Sequence, residues 1–184
     1  MKPAILVIDM LNDFVTGELK CDTAQEIIPN ISQLLNAARE YDWPVVYCND
    51  AHFQCDSELE KWGPHAMKGS KGAEVIPELN PTSKDYIIEK RTYSGFYETG
   101  LDLLLRDQKI DTVIITGMHT NICDRHTAAD AFFRGYKIVI ASDGTGTFTK
   151  EEHENGLKYL EEIYNAEIKS VKEIIEISKP LLTL

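Results

Sequence analysis

Ile114-Ile115-Thr116-Gly117-Met118-His119-Thr120-Asn121-Ile122-Cys123-Asp124-Arg125-His126 is a strand, a turn and a helix start in one run. The apolar stretch Thr112–Thr116 reads as a buried strand. Gly117 and a short polar turn follow. Cys123 then heads the segment Cys123–Arg134, whose Ala128, Ala129, Ala131, Phe132 and Phe133 suit a packed helix. A thiol at a helix N-terminus faces unpaired N–H groups and the positive end of the helix dipole. Both favour the thiolate, so the placement predicts a Cys123 pKa below the free value of about 8.5. A small buried core cysteine is the competing reading.

Outward from this stretch the pattern repeats. Strands are expected at Ala4–Ile8, Pro44–Cys48, Tyr86–Glu89, Lys137–Ala141 and Ala166–Lys169. The first leaves through a loop, Asp9–Phe14. Capping boxes at Thr23–Glu26, Thr149–Glu152 and Ser170–Glu173 start helices, and the first carries Ile27, Ile31, Leu34, Leu35 and Ala38 on one face. A short helix is expected over Leu101–Arg106, and Gly135 closes the cysteine helix. Alternating strands and helices imply an α/β fold: three layers, α/β/α, around a six-stranded, mostly parallel sheet. One domain is expected to span residues 1–184. Sheets of this kind bind ligands beyond the carboxyl ends of their strands. Asp9, Asp50, Lys90, Cys123 and Asp143 stand at those ends.

Composition excludes some functions. With 30 acidic and 19 basic side chains the net charge is −11. That argues against nucleic acid and anionic membrane as partners, since both are polyanions. No apolar run reaches the ~18 residues of a membrane span. Met1-Lys2-Pro3 leads into a strand-like run without a signal-peptide pattern, and the four cysteines lack CxxC spacing. Free thiols in the cytoplasm are expected. Gly144-Thr145-Gly146 lacks both the lysine of a P-loop and a dinucleotide fingerprint, so no nucleotide cofactor is expected.

The strand-end residues suggest nucleophilic chemistry. A thiol needs a base for its proton and a nearby positive charge. Asp9 supplies the base and Lys90 the charge. In the long segment Asn49–Asp85, Asp50 and His52 share one side of an extended run, and His65 follows thirteen residues later. Two imidazoles and a carboxylate suit a divalent metal, and Glu58 offers a fourth oxygen. Surface histidines are the competing reading. Phe14, Trp62 and Tyr93, with Phe96 nearby, flank these groups; Phe14 and Trp62 are placed to sandwich a flat substrate. His126 reads as a helix-face or interface residue and His153 as solvated.

These residues carry a resemblance. Ile8–Phe14, Glu89–Phe96 and Thr116–Cys123 with Thr127–Ala131 resemble, in order, three motifs of the isochorismatase-like cysteine hydrolases, which include nicotinamidases and N-carbamoylsarcosine amidases. The likeness runs from Ala4 to about Phe148. It implies a catalytic Asp9, Lys90 and Cys123, and a cis peptide between Met118 and His119. That bond would direct the N–H groups of His119 and Cys123 into an oxyanion hole. It further implies a metal at Asp50, His52 and His65, with Glu58 an extra ligand in some members. Zinc is expected first, with iron or manganese as alternatives.

The expected activity is hydrolysis of a small amide through a thioester. Nicotinamide is the first substrate, and an N-carbamoyl or ureido compound on the same triad is the second. A homodimer or homotetramer is expected. The chain departs from nicotinamidases at Asn121, where aspartate is commoner, and at His119, where a small residue is. No arginine stands after the fifth strand, where carbamoylsarcosine amidases hold a carboxylate. True isochorismatases lack the cysteine, which argues against vinyl-ether hydrolysis. A metal-dependent oligomeric binding protein with an inert Cys123 is the reading from outside enzymology.

Overall fold

The structure, a computed structural model, describes residues 2–178. Six strands form one sheet: β1 (Pro3–Ile8), β2 (Val45–Asp50), β3 (Tyr86–Lys90), β4 (Thr112–Met118), β5 (Lys137–Gly146) and β6 (Glu167–Lys169). Their order is β3-β2-β1-β4-β5-β6 and every pairing is parallel. The central strands are apolar because both faces are covered. Ile5 and Val7 of β1 join one core, with Val45, Tyr47 and Ile114. Ala4, Leu6 and Ile8 point the other way, with Val46, Val113 and Ile115. Each such large aliphatic side chain, fully buried, contributes about 1.5–3 kcal/mol.

Helices α2 (Thr23–Glu40) and α7 (Val171–Ser178) cover the first face. Helices α4 (Leu101–Asp107), α5 (Cys123–Phe133) and α6 (Lys150–Tyr164) cover the second. Two short helices, α1 (Asn12–Val15) and α3 (Glu58–Trp62), lie in the connections beyond the strand ends. The three-layer α/β/α expectation holds, and the sheet is wholly parallel.

The elements differ from the sequence reading in several places. Asn12–Val15 is one helical turn rather than loop. The Thr23 capping box does not form: its hydroxyl donates to the Thr147 carbonyl at 2.7 Å instead. The Ser170–Glu173 box does form, with Ser170 N–H donating to the Glu173 carboxylate at 2.8 Å. At Thr149 the hydroxyl accepts from Glu152 N–H at 3.2 Å. Strand β5 runs past Ala141 to Gly146, its register against β4 shifting between Ile115 and Gly117. Helix α5 packs with Thr127, Ala128 and Ala131, while Phe132 and Phe133 rotate past that stripe and stay exposed.

Candidate active site

The chain runs from β1 to β2 and β3 on one side, then crosses to β4, β5 and β6 on the other. The crevice of such a sheet opens where that direction reverses, here between β1 and β4. Asp9 leaves β1 and Cys123 follows β4. Gly117 makes the close approach there: its φ is +117°, and a Cβ on it would stand 2.0 Å from the Ile8 carbonyl oxygen. The peptide Met118–His119 is cis, as expected.

Lys90 ends β3 with its ammonium 2.7 Å from Asp9 Oδ2 and 2.5 Å from Asp50 Oδ1. Asp50 N–H donates to Asp9 Oδ1 at 2.8 Å. Cys123 Sγ and oxygens of Asp9 and Asp50 lie within 4.8 Å of one another. All four residues are buried. Burial opposes the Lys90 charge, but Asp50 and Asp9 outweigh it and hold the ammonium well above its ordinary range. Burial, then Asp50, push the Asp9 acid up to about 7 against the pull of Lys90. Burial also drives the Cys123 thiol well above its ordinary value, with Lys90 opposing. This runs against the expected low thiol pKa: desolvation, joined by the charges of Asp9 and Asp50, outweighs the lysine.

A second group adjoins the first. Asp50, His52, Glu58 and His65 place one donor atom each within 4.8 Å of the others. His52 Nδ1 pairs with Asp56 Oδ2 at 3.2 Å, and His65 Nδ1 with the Gly63 carbonyl at 2.8 Å. Anchoring Nδ1 leaves Nε2 for a ligand, as in metal-binding histidines generally. His52 Nε2 and Glu58 Oε1 are buried without a hydrogen-bond partner. Two imidazoles, two carboxylates and these orphaned atoms fit a divalent ion. Asp56 is gripped by Arg91, whose Nε donates to it at 3.0 Å while the guanidinium lies over Phe53. Sequence reasoning missed Asp56, although its place four residues after His52 was a usable signal.

Cys123, Asp50, Glu58 and His65 line one cavity with Phe14, Trp62, Tyr93 and His119, and with Leu19, Ile122 and Phe148. All four expected pocket residues are there. Trp62 Nε1 donates to Tyr93 Oη at 3.2 Å. His119 stacks on Phe148 at 4.3 Å between ring centroids and meets the edge of Phe14 at 5.8 Å. Burial pushes its imidazole down to about 4, so it is neutral at pH 7. Phe148 escaped the sequence reading because only the extension of β5 brings it across the mouth.

Other candidates lie elsewhere. Asp143 caps α7 by accepting Val171 N–H at 2.7 Å and stays out of the crevice. Phe96 belongs to the core. His126 is exposed on α5, as expected of a helix-face residue. His153 is half-buried rather than solvated, with Nδ1 at 2.8 Å from Thr120 Oγ1 and Nε2 at 3.1 Å from the Ser142 carbonyl.

Comparison with known proteins gives the family. Residues 3–173 match the Isochorismatase domain, and the chain belongs to that family. An N-carbamoylsarcosine amidase from Thermoplasma acidophilum is 42% identical, with a TM-score of 0.89 over 93% of this chain and 97% of that one. The nicotinamidase PncA of Bacillus subtilis is 32% identical, with a TM-score of 0.88 over 92% and 100%. A pyrazinamidase of Pyrococcus horikoshii, solved in complex with zinc, is 26% identical, with a TM-score of 0.87 over 92% and 99%.

Proposed function

We propose that this member of the isochorismatase domain family is a cysteine amidohydrolase of small planar amides. The observation that carries the reading is the buried trio of Asp9, Lys90 and Cys123, with Lys90 2.7 Å from Asp9 and Cys123 lining the cavity. In this reading Asp9 takes the Cys123 proton as sulfur attacks the amide carbon. The N–H groups of His119 and Cys123 hold the oxyanion. Asp9 returns the proton to the departing ammonia, leaving a thioester. A water molecule, deprotonated by Asp9, then releases the acid, and the proton returns to the thiol. Lys90 keeps Asp9 oriented and offsets charge as it moves.

Asp50, His52, His65 and Glu58 would hold a divalent metal, with zinc the first assignment. When bound, such an ion supplies a Lewis-acid docking point for a substrate lone pair. The zinc complex of the Pyrococcus horikoshii relative supports that choice.

Nicotinamide is one candidate substrate, supported by the aromatic walls and the adjoining metal cluster. A second reading, a carbamoyl or ureido compound, is supported by the 42% identity to the Thermoplasma acidophilum amidase. Ammonia release from a panel of both classes tests the proposal. Wild-type enzyme is expected to turn over at least one class, and Cys123→Ala to lose about 10³-fold or more of that rate. An unimpaired Cys123→Ala enzyme contradicts it and favours a binding protein.

We also assign a homodimer or homotetramer in the cytoplasm. Exposed Phe132, Phe133 and Ile163 on α5 and α6 support self-association, and a monomer by light scattering would contradict it. The buried, unpaired Cys21, Cys48 and Cys123 suit a reducing compartment.

A further inference from the structure

Most polar side chains lining the cavity have work assigned to them. Asp50, Glu58 and His65 belong to the metal cluster, Cys123 is the nucleophile, and Tyr93 Oη accepts from Trp62. His119 is different. It is only 4% exposed, and neither ring nitrogen has a hydrogen-bond partner. The stacked Phe148 and the edge-on Phe14 fix the plane of the ring, so it does not swing away to find one.

A neutral imidazole presents one donor and one acceptor. Its own main-chain N–H is one of the two oxyanion donors in the proposed mechanism, so the ring sits within one residue's reach of the scissile carbonyl. We propose that His119 is a specificity-determining residue, whose imidazole hydrogen-bonds the substrate atom attached to the scissile carbonyl carbon and so favours neutral ureides over carboxamides. This rests on the amidohydrolase reading but not on nicotinamide as substrate. A ureide, R–NH–C(O)–NH₂, offers an N–H at that atom. A carboxamide offers only carbon there and leaves His119 unpaired. A site built to hydrogen-bond a group discriminates strongly against an analogue without it.

The covalent steps remain balanced for a ureide. Sulfur bonds to the carbonyl carbon, ammonia leaves with the Asp9-borne proton, and water cleaves the resulting thiocarbamate. The released carbamic acid loses carbon dioxide to give the amine.

Phenylurea and phenylacetamide test this, because they differ only by N–H against CH₂ at the critical atom. Their affinities are measured by calorimetry on zinc-loaded, full-length Cys123→Ala protein, which removes turnover from the comparison. Phenylurea is expected to bind at least about tenfold tighter, the worth of one neutral hydrogen bond. The ratio should fall to about one when His119→Phe is added, and His119→Gln, which keeps a donor and an acceptor, should restore most of it. Where His119→Phe does not fold, His119→Ala takes its place. Equal affinities in the His119 protein, binding of neither compound, or a ratio untouched by removal of the imidazole would each overturn the inference. A Cys123→Ala protein that still releases ammonia would instead overturn the amidohydrolase reading.

Discussion

Lys90 is fully buried with one ammonium between two carboxylates, and the residue beside it makes a single ion pair nearer the surface. Arg91 grips Asp56, and Asp56 orients His52. Adjacent residues at the end of β3 thus fix the two halves of the site. Removing one partner of a buried ion pair costs about 3–5 kcal/mol, because the remaining charge has no compensation. Lys90→Met is therefore expected to lower unfolding stability by about that amount and to abolish turnover; denaturant melts at unchanged midpoint would contradict the ion-pair account. Asp56→Asn loses the carboxylate behind His52. Metal affinity should fall about 10–100-fold, measured by competition with a chelator, and unchanged affinity would contradict the orienting role. Lys90 was legible in sequence as a cation at a strand end. The high thiol pKa of Cys123 was not, because desolvation depends on what packs above it. The same holds for the neutral, unpartnered ring of His119.

The turn between β4 and α5 depends on Gly117. An alanine there meets the Ile8 carbonyl at 2.0 Å with a φ that side chains rarely adopt. Gly117→Ala should destabilise by about 2–5 kcal/mol, from strain and overpacking together; a loss under about 1 kcal/mol in urea melts would show that β1 and β4 can separate at little cost. Helix α6 contributes a pH dependence through His153. Burial holds this imidazole below the ordinary histidine range, against the Ser142 carbonyl. The fold favours its neutral form, so its contribution is complete above the unfolded value of about 6.5 and is lost as pH falls through the folded value. The stability advantage of wild type over His153→Gln should shrink between about pH 7 and pH 5. An advantage that grows on acidification contradicts this. Most elements were readable from apolar runs, since a parallel sheet buries both faces of its central strands. The Thr23 box misled because Thr147, 124 residues away, takes its hydroxyl. Phe132 and Phe133 misled because apolar character alone does not fix which side of a helix a residue occupies.

At the scale of the molecule, the topology brings distant segments to one crevice. The end of β1, the ends of β2 and β3 and the start of α5 meet where the strand order reverses between β1 and β4. That convergence was legible, because alternating strands and helices imply where ligands bind. The walls were less so. Phe14 and Trp62 could be placed from their loops, but Phe148 depends on the register shift that carries β5 to Gly146. Asp143 failed for the same reason, since the longer strand turns it toward α7. The central claim is that Cys123 carries an acyl group during turnover. Intact-protein mass spectrometry after acid quenching, using whichever panel substrate releases ammonia fastest, reads it directly. The account predicts an adduct equal to the acyl part of the substrate, located on Cys123 by peptide mapping and absent from Cys123→Ala. Steady ammonia release from protein that stays unmodified through the pre-steady state, or an adduct on another residue, would contradict it.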